Sequence, residues 1–143
     1  MKKIVLICFA LVCITLSFAQ GNIAGHWATI DDSTGEKKAI VEIYKANDGA
    51  YYGKIVSLFG QVNHTTCVKC KGKLKDKPLV GMLIIKGMKE SGDELTGGTI
   101  LDPASGKEYK CDIRREADEL HVRGYVMNRL FGRSQVWKKI KMN

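Results

Sequence analysis

What this chain lacks narrows its chemistry first. There is no G-x-S-x-G elbow, so Ser–His–Asp hydrolysis has no anchor. Ser105-Gly106-Lys107-Glu108 has the Gly-Lys pair of a phosphate-binding loop but not the rest. Leu101 stands where the first Gly would be, and Glu108 replaces the hydroxyl residue that would touch magnesium. Histidines number three, and His26 and His121 lie in strand-like runs without partners at metal-ligand spacing. Asp102 and Glu108 come nearest to a carboxylate pair, but acids in turns are ordinary. These absences argue against an enzyme and imply no cofactor. No basic helix or ladder of stacking aromatics accompanies the positive charge, which argues against nucleic acid. No internal repeat, linker or low-complexity tract occurs, as expected of one domain.

Long apolar runs are also missing, apart from one at the start. Met1-Lys2-Lys3 is a short positive opening, Ile4 to Leu16 is apolar except for Thr15, and Ser17-Phe18-Ala19 offers small residues to a signal peptidase. Residues 1–19 are read as a signal peptide cut before Gln20, with 20–143 as a single domain. The leader's apolar stretch is too short to span a bilayer well, and none of membrane length follows, so the processed chain is not expected to span a membrane. The expected location is outside the cytoplasm, periplasmic or extracellular, where thiols can oxidise. Cys13 lacks the upstream Leu and small residue of a lipoprotein signal. A domain of this size hides about 65–70% of its unfolded surface, enough for a core. The net charge of +8, with Lys2 and Lys3 in the leader, favours anionic partners.

After the leader, β-branched and aromatic residues alternate with polar ones in short runs. Strands are expected over Ala24–Ile30, Lys38–Ala46, Ala50–Phe59, Leu79–Gly87, Glu94–Leu101, Lys107–Arg114, Glu119–Val126 and Ser134–Ile140. Asn47-Asp48-Gly49 and Asp102-Pro103-Ala104-Ser105-Gly106 read as turns. Ser91-Gly92-Asp93 and Glu116-Ala117-Asp118 read as two more. One helical turn is expected within Gly124–Gly132. Eight short antiparallel strands predict an all-β fold, a barrel in preference to a sandwich because closure removes sheet edges.

Gly60–Pro78 breaks the pattern: it is long, polar and Lys-rich, and a loop of that length is usually functional. Cys67 and Cys70 within it are read as a disulfide staple. A redox pair and a zinc pair with His64 remain alternatives. Cys111 shares period-two parity with Tyr109 and Ile113, which predicts a buried thiol. Lys69, Lys71, Lys73, Lys75 and Lys77 would form one charged face on a strand. That face is a candidate patch for an anionic partner, against the commoner reading of a solvated edge. Trp27, Arg123, Tyr125, Arg133 and Trp137 gather at the two ends of the chain. They either close the barrel, with an Arg of a last strand over a Trp of the first, or line a site for a small apolar ligand.

These residues carry a resemblance. Gly25-x-Trp27, Asp32 with Thr34-Gly35, Ile43-Tyr44 and Gly53-Lys54-Ile55 are followed in order by Cys67-x-x-Cys70-x-Gly72 and Gly97-Gly98-x-Ile100-x-Asp102-Pro103. Gly106-Lys107-x-Tyr109, Arg123-Gly124-Tyr125 and Phe131-Gly132-Arg133-Ser134-Gln135-x-Trp137 complete the series. The chain resembles the bacterial exported proteins of domain-of-unknown-function family 2147 (DUF2147). The resemblance implies a compact, lipocalin-like (calycin-type) barrel of eight strands with no assigned activity. Met127 stands where the family pattern commonly has Gly, and the Lys-rich loop departs from it. Gly25-x-Trp27 also resembles the lipocalin opening motif.

Three functions are expected in descending order. The first is an exported barrel holding a small apolar or amphipathic molecule in or at its mouth. The second is an envelope structural or partner-binding protein acting through the Lys-rich loop. The third is a thiol–disulfide protein using Cys67 and Cys70.

Overall fold

Period-two alternation becomes eight strands in the computed structural model, which describes residues 21–143. The proposed leader, 1–19, lies outside the described residues. The strands are β1 (Gly25–Ile30), β2 (Lys37–Lys45), β3 (Tyr51–Leu58), β4 (Leu83–Ser91), β5 (Glu94–Asp102), β6 (Lys107–Glu116), β7 (Glu119–Tyr125) and β8 (Gly132–Ile140). Each pairs antiparallel with the next, and β8 returns to β1 through Trp27↔Lys139, closing the barrel. Closure leaves no edge strand to template aggregation.

An up-and-down order puts alternate connections at opposite ends. Segments 31–36, 59–82, 103–106 and 126–131 form a loop end. Segments 46–50, 92–93 and 117–118 form a turn end, together with residues 21–24. Asp48 and Asp102 shape their turns as sequence chemistry requires. Each carboxylate accepts from a backbone N–H two residues on, at 2.9 Å from Ala50 and 3.0 Å from Ala104.

The inward face is largely apolar, with β8 the exception, where Trp137 stands between Gln135 and Lys139. Trp27, Val41, Ile85, Met88, Cys111, Ile113 and Leu120 are fully buried, and Ile43, Leu95 and Trp137 nearly so. An eight-stranded barrel holds either its own side chains or one small ligand. Here two indoles and the large aliphatics occupy the centre.

Two expectations are corrected. The fourth strand is Leu83–Ser91 rather than Leu79–Gly87. Gly87 takes φ +66° inside the strand, between the paired Lys86↔Thr99 and Lys89↔Thr96, so it marks a local distortion and not a stop. At the front, Met82 N–H donates to Leu79 O at 3.0 Å, which makes that segment a turn. Nor is there a helical turn in Gly124–Gly132. Val126 N–H donates to Phe131 O at 3.0 Å and closes a tight tip. Met127, at φ +60°, supplies the left-handed bend there.

Candidate functional site

The turn end is sealed. Trp27 Nε1 donates to Ile23 O at 2.8 Å, drawing the segment before β1 under the barrel. Arg115 lies over the Trp27 ring, 5.5 Å from its centroid, and Lys139 Nζ is 5.9 Å from the same ring. Arg115 also donates from Nη1 to Asn22 O at 2.6 Å and from Nε to Ala117 O at 2.7 Å. The cation over Trp27 is therefore supplied by β6 and by Lys139, not by Arg123 or Arg133. Sequence reasoning missed Arg115 although the signal was present: it continues the inward series Tyr109, Cys111, Ile113 at period two.

The five candidate lining or closing residues are not brought together. Trp27 and Trp137 are packed inside. Arg123 pairs in register with Asp112 and Ser134 on the outer wall, where it donates to Arg129 O at 2.9 Å and to Ser134 Oγ at 3.1 Å. Tyr125 alternates to that same outer side. Arg133 stands on the loop-end rim, paired with Asp32. Gln135 Nε2 reaches the same carboxylate at 3.3 Å, and Gln135 Oε1 accepts from Trp137 Nε1 at 3.2 Å. A short polar chain thus runs from the rim down to the buried indole.

The loop end carries the long segment 59–82. Cys67 and Cys70 are bonded to each other, with Cα atoms 5.3 Å apart, and both are buried. Cys111 is free and buried, and burial aided by the Asp112 charge pushes its thiol up to about 12. The staple docks on the β5–β6 turn, with Cys67 Sγ 3.6 Å from Pro103 O. Gly106 makes this possible. Its φ is +71°, and a Cβ there would stand 2.0 Å from Lys69 O. Ile84 and Leu101 alternate with the inward Ile85 and Ile100, so they face out. They are nonetheless buried, in one cluster with Cys67, Cys70 and Met82. The loop therefore clads the outer wall of β4 and β5. Its lysines do not form the single charged face of a strand, because a 3-10 turn at Gly72–Leu74 and the positive φ of Asp76 break the alternation. All five remain exposed.

Two depressions mark the outer wall. One, about 500 Å³, lies where the loop meets β4. It is floored by Leu74, Pro78, Val80, Met82 and Leu83, with Lys77 and Lys86 at its edge. The other, about 320 Å³, lies between β5, β6, β7 and β8 and is lined mainly by charged groups already paired, including Asp112 with Arg129 at 2.5 Å. Among the described residues, no group of three His, Cys, Asp or Glu side chains is placed to hold a metal ion.

A family model described as "Uncharacterized protein conserved in bacteria (DUF2147)" matches residues 25–139, the whole barrel except its final residue. The chain belongs to the DUF2147 family. This DUF2147 barrel is lipocalin-like. It is similar to a solved structure titled "Protein HP1028 from the human pathogen Helicobacter pylori belongs to the lipocalin family", with a TM-score of 0.72, 16% identity and 84% of each chain covered. At that identity the likeness is one of fold. No curated protein sequence matches the chain.

Proposed function

We propose that this protein is an exported, non-enzymatic binding module that holds a small amphipathic anion on the outside of its barrel. The site is the groove between the segment 59–82 and β4. The observation that supports it is the groove's composition: an apolar floor of Leu74, Pro78, Val80, Met82 and Leu83 beside the cations Lys77 and Lys86. It is an open depression of about 500 Å³, so a ligand there would keep one side in water. An apolar tail lies along that floor, and an anionic head meets Lys77. Lys86 is shared with Glu108 at 3.7 Å. The filled barrel centre argues for a site outside it, and the lipocalin-like fold is compatible with small-molecule binding. The Cys67–Cys70 bond supports an oxidising location.

Calorimetric titration with dodecanoate tests this. Binding is expected, and Val80→Glu weakens it about tenfold or more by placing a carboxylate on the apolar floor. No heat from the parent protein, or equal binding by the variant, counts against the groove.

A second reading is docking to an anionic envelope partner through Lys69, Lys71, Lys73, Lys75 and Lys77. It is supported by their exposure: among the described residues none of the five is ion-paired. The thiol–disulfide reading finds no such support. Exchange needs access to a sulfur, and Cys67 and Cys70 are 1% and 2% exposed.

A further inference from the structure

Exposed apolar bulk is gathered at one end of this barrel. Val62, Val80, Val126, Met127, Leu130 and Phe131 are exposed in loop-end segments, whereas only Met142 among the described residues is exposed beyond the turn end. Four of them share the tip 126–131 between β7 and β8. Met127 and Leu130 are 83% and 85% exposed, Phe131 and Val126 61% and 49%. Scattered single apolar residues need no explanation, but a cluster of this kind marks an interaction site.

The tip is an ordered projection. Arg123 Nη2 donates to Arg129 O at 2.5 Å, and Arg129 is held by Asp112. The arginines thus serve the tip's own structure and leave the apolar side chains pointing into solvent. Met127 holds φ +60°, a conformation that disfavours any side chain. A strained residue whose side chain packs against so little is the kind found at functional sites.

The positive charge of the loop end is concentrated in one segment, since 31–36 beside it carries Asp31, Asp32 and Glu36, the first two paired with Lys38 and Arg133. Segment 59–82, at the same end, carries five lysines against the one acid Asp76. The three turns of the opposite end carry Asp48, Asp93 and Asp118 and no base.

We propose that the loop end docks on a bilayer surface containing anionic phospholipid. The tip 126–131 enters the boundary between headgroups and acyl chains, and Lys69, Lys71 and Lys73 lie against the headgroups. A projecting apolar tip suits a fluid interface, and flexible lysines attract anionic headgroups without fixed geometry. This names a partner class for the second reading above and is independent of the groove.

Sedimentation of the processed protein with phosphatidylcholine vesicles, with and without phosphatidylglycerol, tests it. Binding is expected only with phosphatidylglycerol and falls as salt is raised. The double variant Leu130→Ser, Phe131→Ser lowers the affinity about tenfold or more. Lys69→Glu, Lys71→Glu, Lys73→Glu abolishes the preference for anionic lipid. In Phe131→Trp, emission shifts to the blue on binding and is quenched by brominated acyl chains. All these side chains are exposed, so the variants keep the parent's circular dichroism, and the tip variant still binds dodecanoate. Equal binding to both vesicle types, an unweakened tip variant, or no vesicle binding even where a protein partner is captured would overturn the proposal.

Discussion

The guanidinium of Arg115 stands 5.5 Å from the ring centroid of Trp27 and donates to the backbone on either side of it, at Asn22 and Ala117. One side chain thereby ties the segment before β1 and the β6–β7 turn to the buried indole. Arg115→Ala removes a cation–π contact and two charge-assisted hydrogen bonds, and is expected to cost about 2–4 kcal/mol. Arg115→Lys recovers only part, because an ammonium cannot span both carbonyls as a planar fork does. Urea unfolding of the two variants measures the difference.

Gly106 is the contact point between the β5–β6 turn and the disulfide-bearing loop. Gly106→Ala forces a side chain into φ +71° and into the space of Lys69 O, costing about 2 kcal/mol or more. The barrel strands do not depend on this contact. The expected result is a folded protein whose loop lysines become sensitive to trypsin, while the parent resists. An equally resistant variant would mean that the loop is held elsewhere.

Thiol chemistry is expected to be silent in the native state. Cys67 and Cys70 are bonded, and Cys111 is buried with its thiol pushed up to about 12. A thiol reagent therefore finds nothing in the processed native protein at neutral pH. After unfolding without reductant it finds the single Cys111. Rapid labelling of the native protein would revive the redox reading.

Acid should weaken the fold from a definite point. Lys38 and Ser33 hold the Asp31 carboxyl well below the usual range, the Tyr51 hydroxyl and Lys45 lower Glu90, and Lys138 lowers Glu119. Carboxylates depressed in the folded state contribute fully above their unfolded pKa of about 4, and that contribution is lost as pH falls through the folded values. Tm is expected to be level from about pH 7 to 5 and to decline below about 4. The decline is shallower in Asp31→Asn. Glu90 is exposed and Asp31 and Glu119 are only partly buried, so each effect is small.

The barrel was legible because inward positions are largely apolar at period two along most strands, and because Asp48 and Asp102 announce their turns. β4 was misplaced because Gly87 looks the same in sequence whether it ends a strand or distorts one. Cys67 and Cys70 were legible as a staple from their setting, a polar loop of an all-β chain read as exported, since their spacing alone also suits a redox or zinc pair. The groove was not, since Leu74, Val80 and Leu83 gain meaning only when the loop folds back along β4. Arg123 and Arg133 drew attention through their aromatic neighbours, yet register sends the first outward and leaves the second on the rim. Arg115 was hidden in the charged run Arg114-Arg115-Glu116, where only strand parity separates the inward residue from its outward neighbours.

The central claim is that the barrel's centre is filled by its own side chains and that small-molecule recognition takes place on its outer wall. Methyl and indole NMR spectra recorded during a dodecanoate titration test it most directly. The account predicts shifts at Leu74, Val80, Met82 and Leu83, with Trp27, Leu120 and Trp137 unmoved. Shifts centred on Trp27, Leu120 and Trp137 would contradict it, because the ligand would then lie inside.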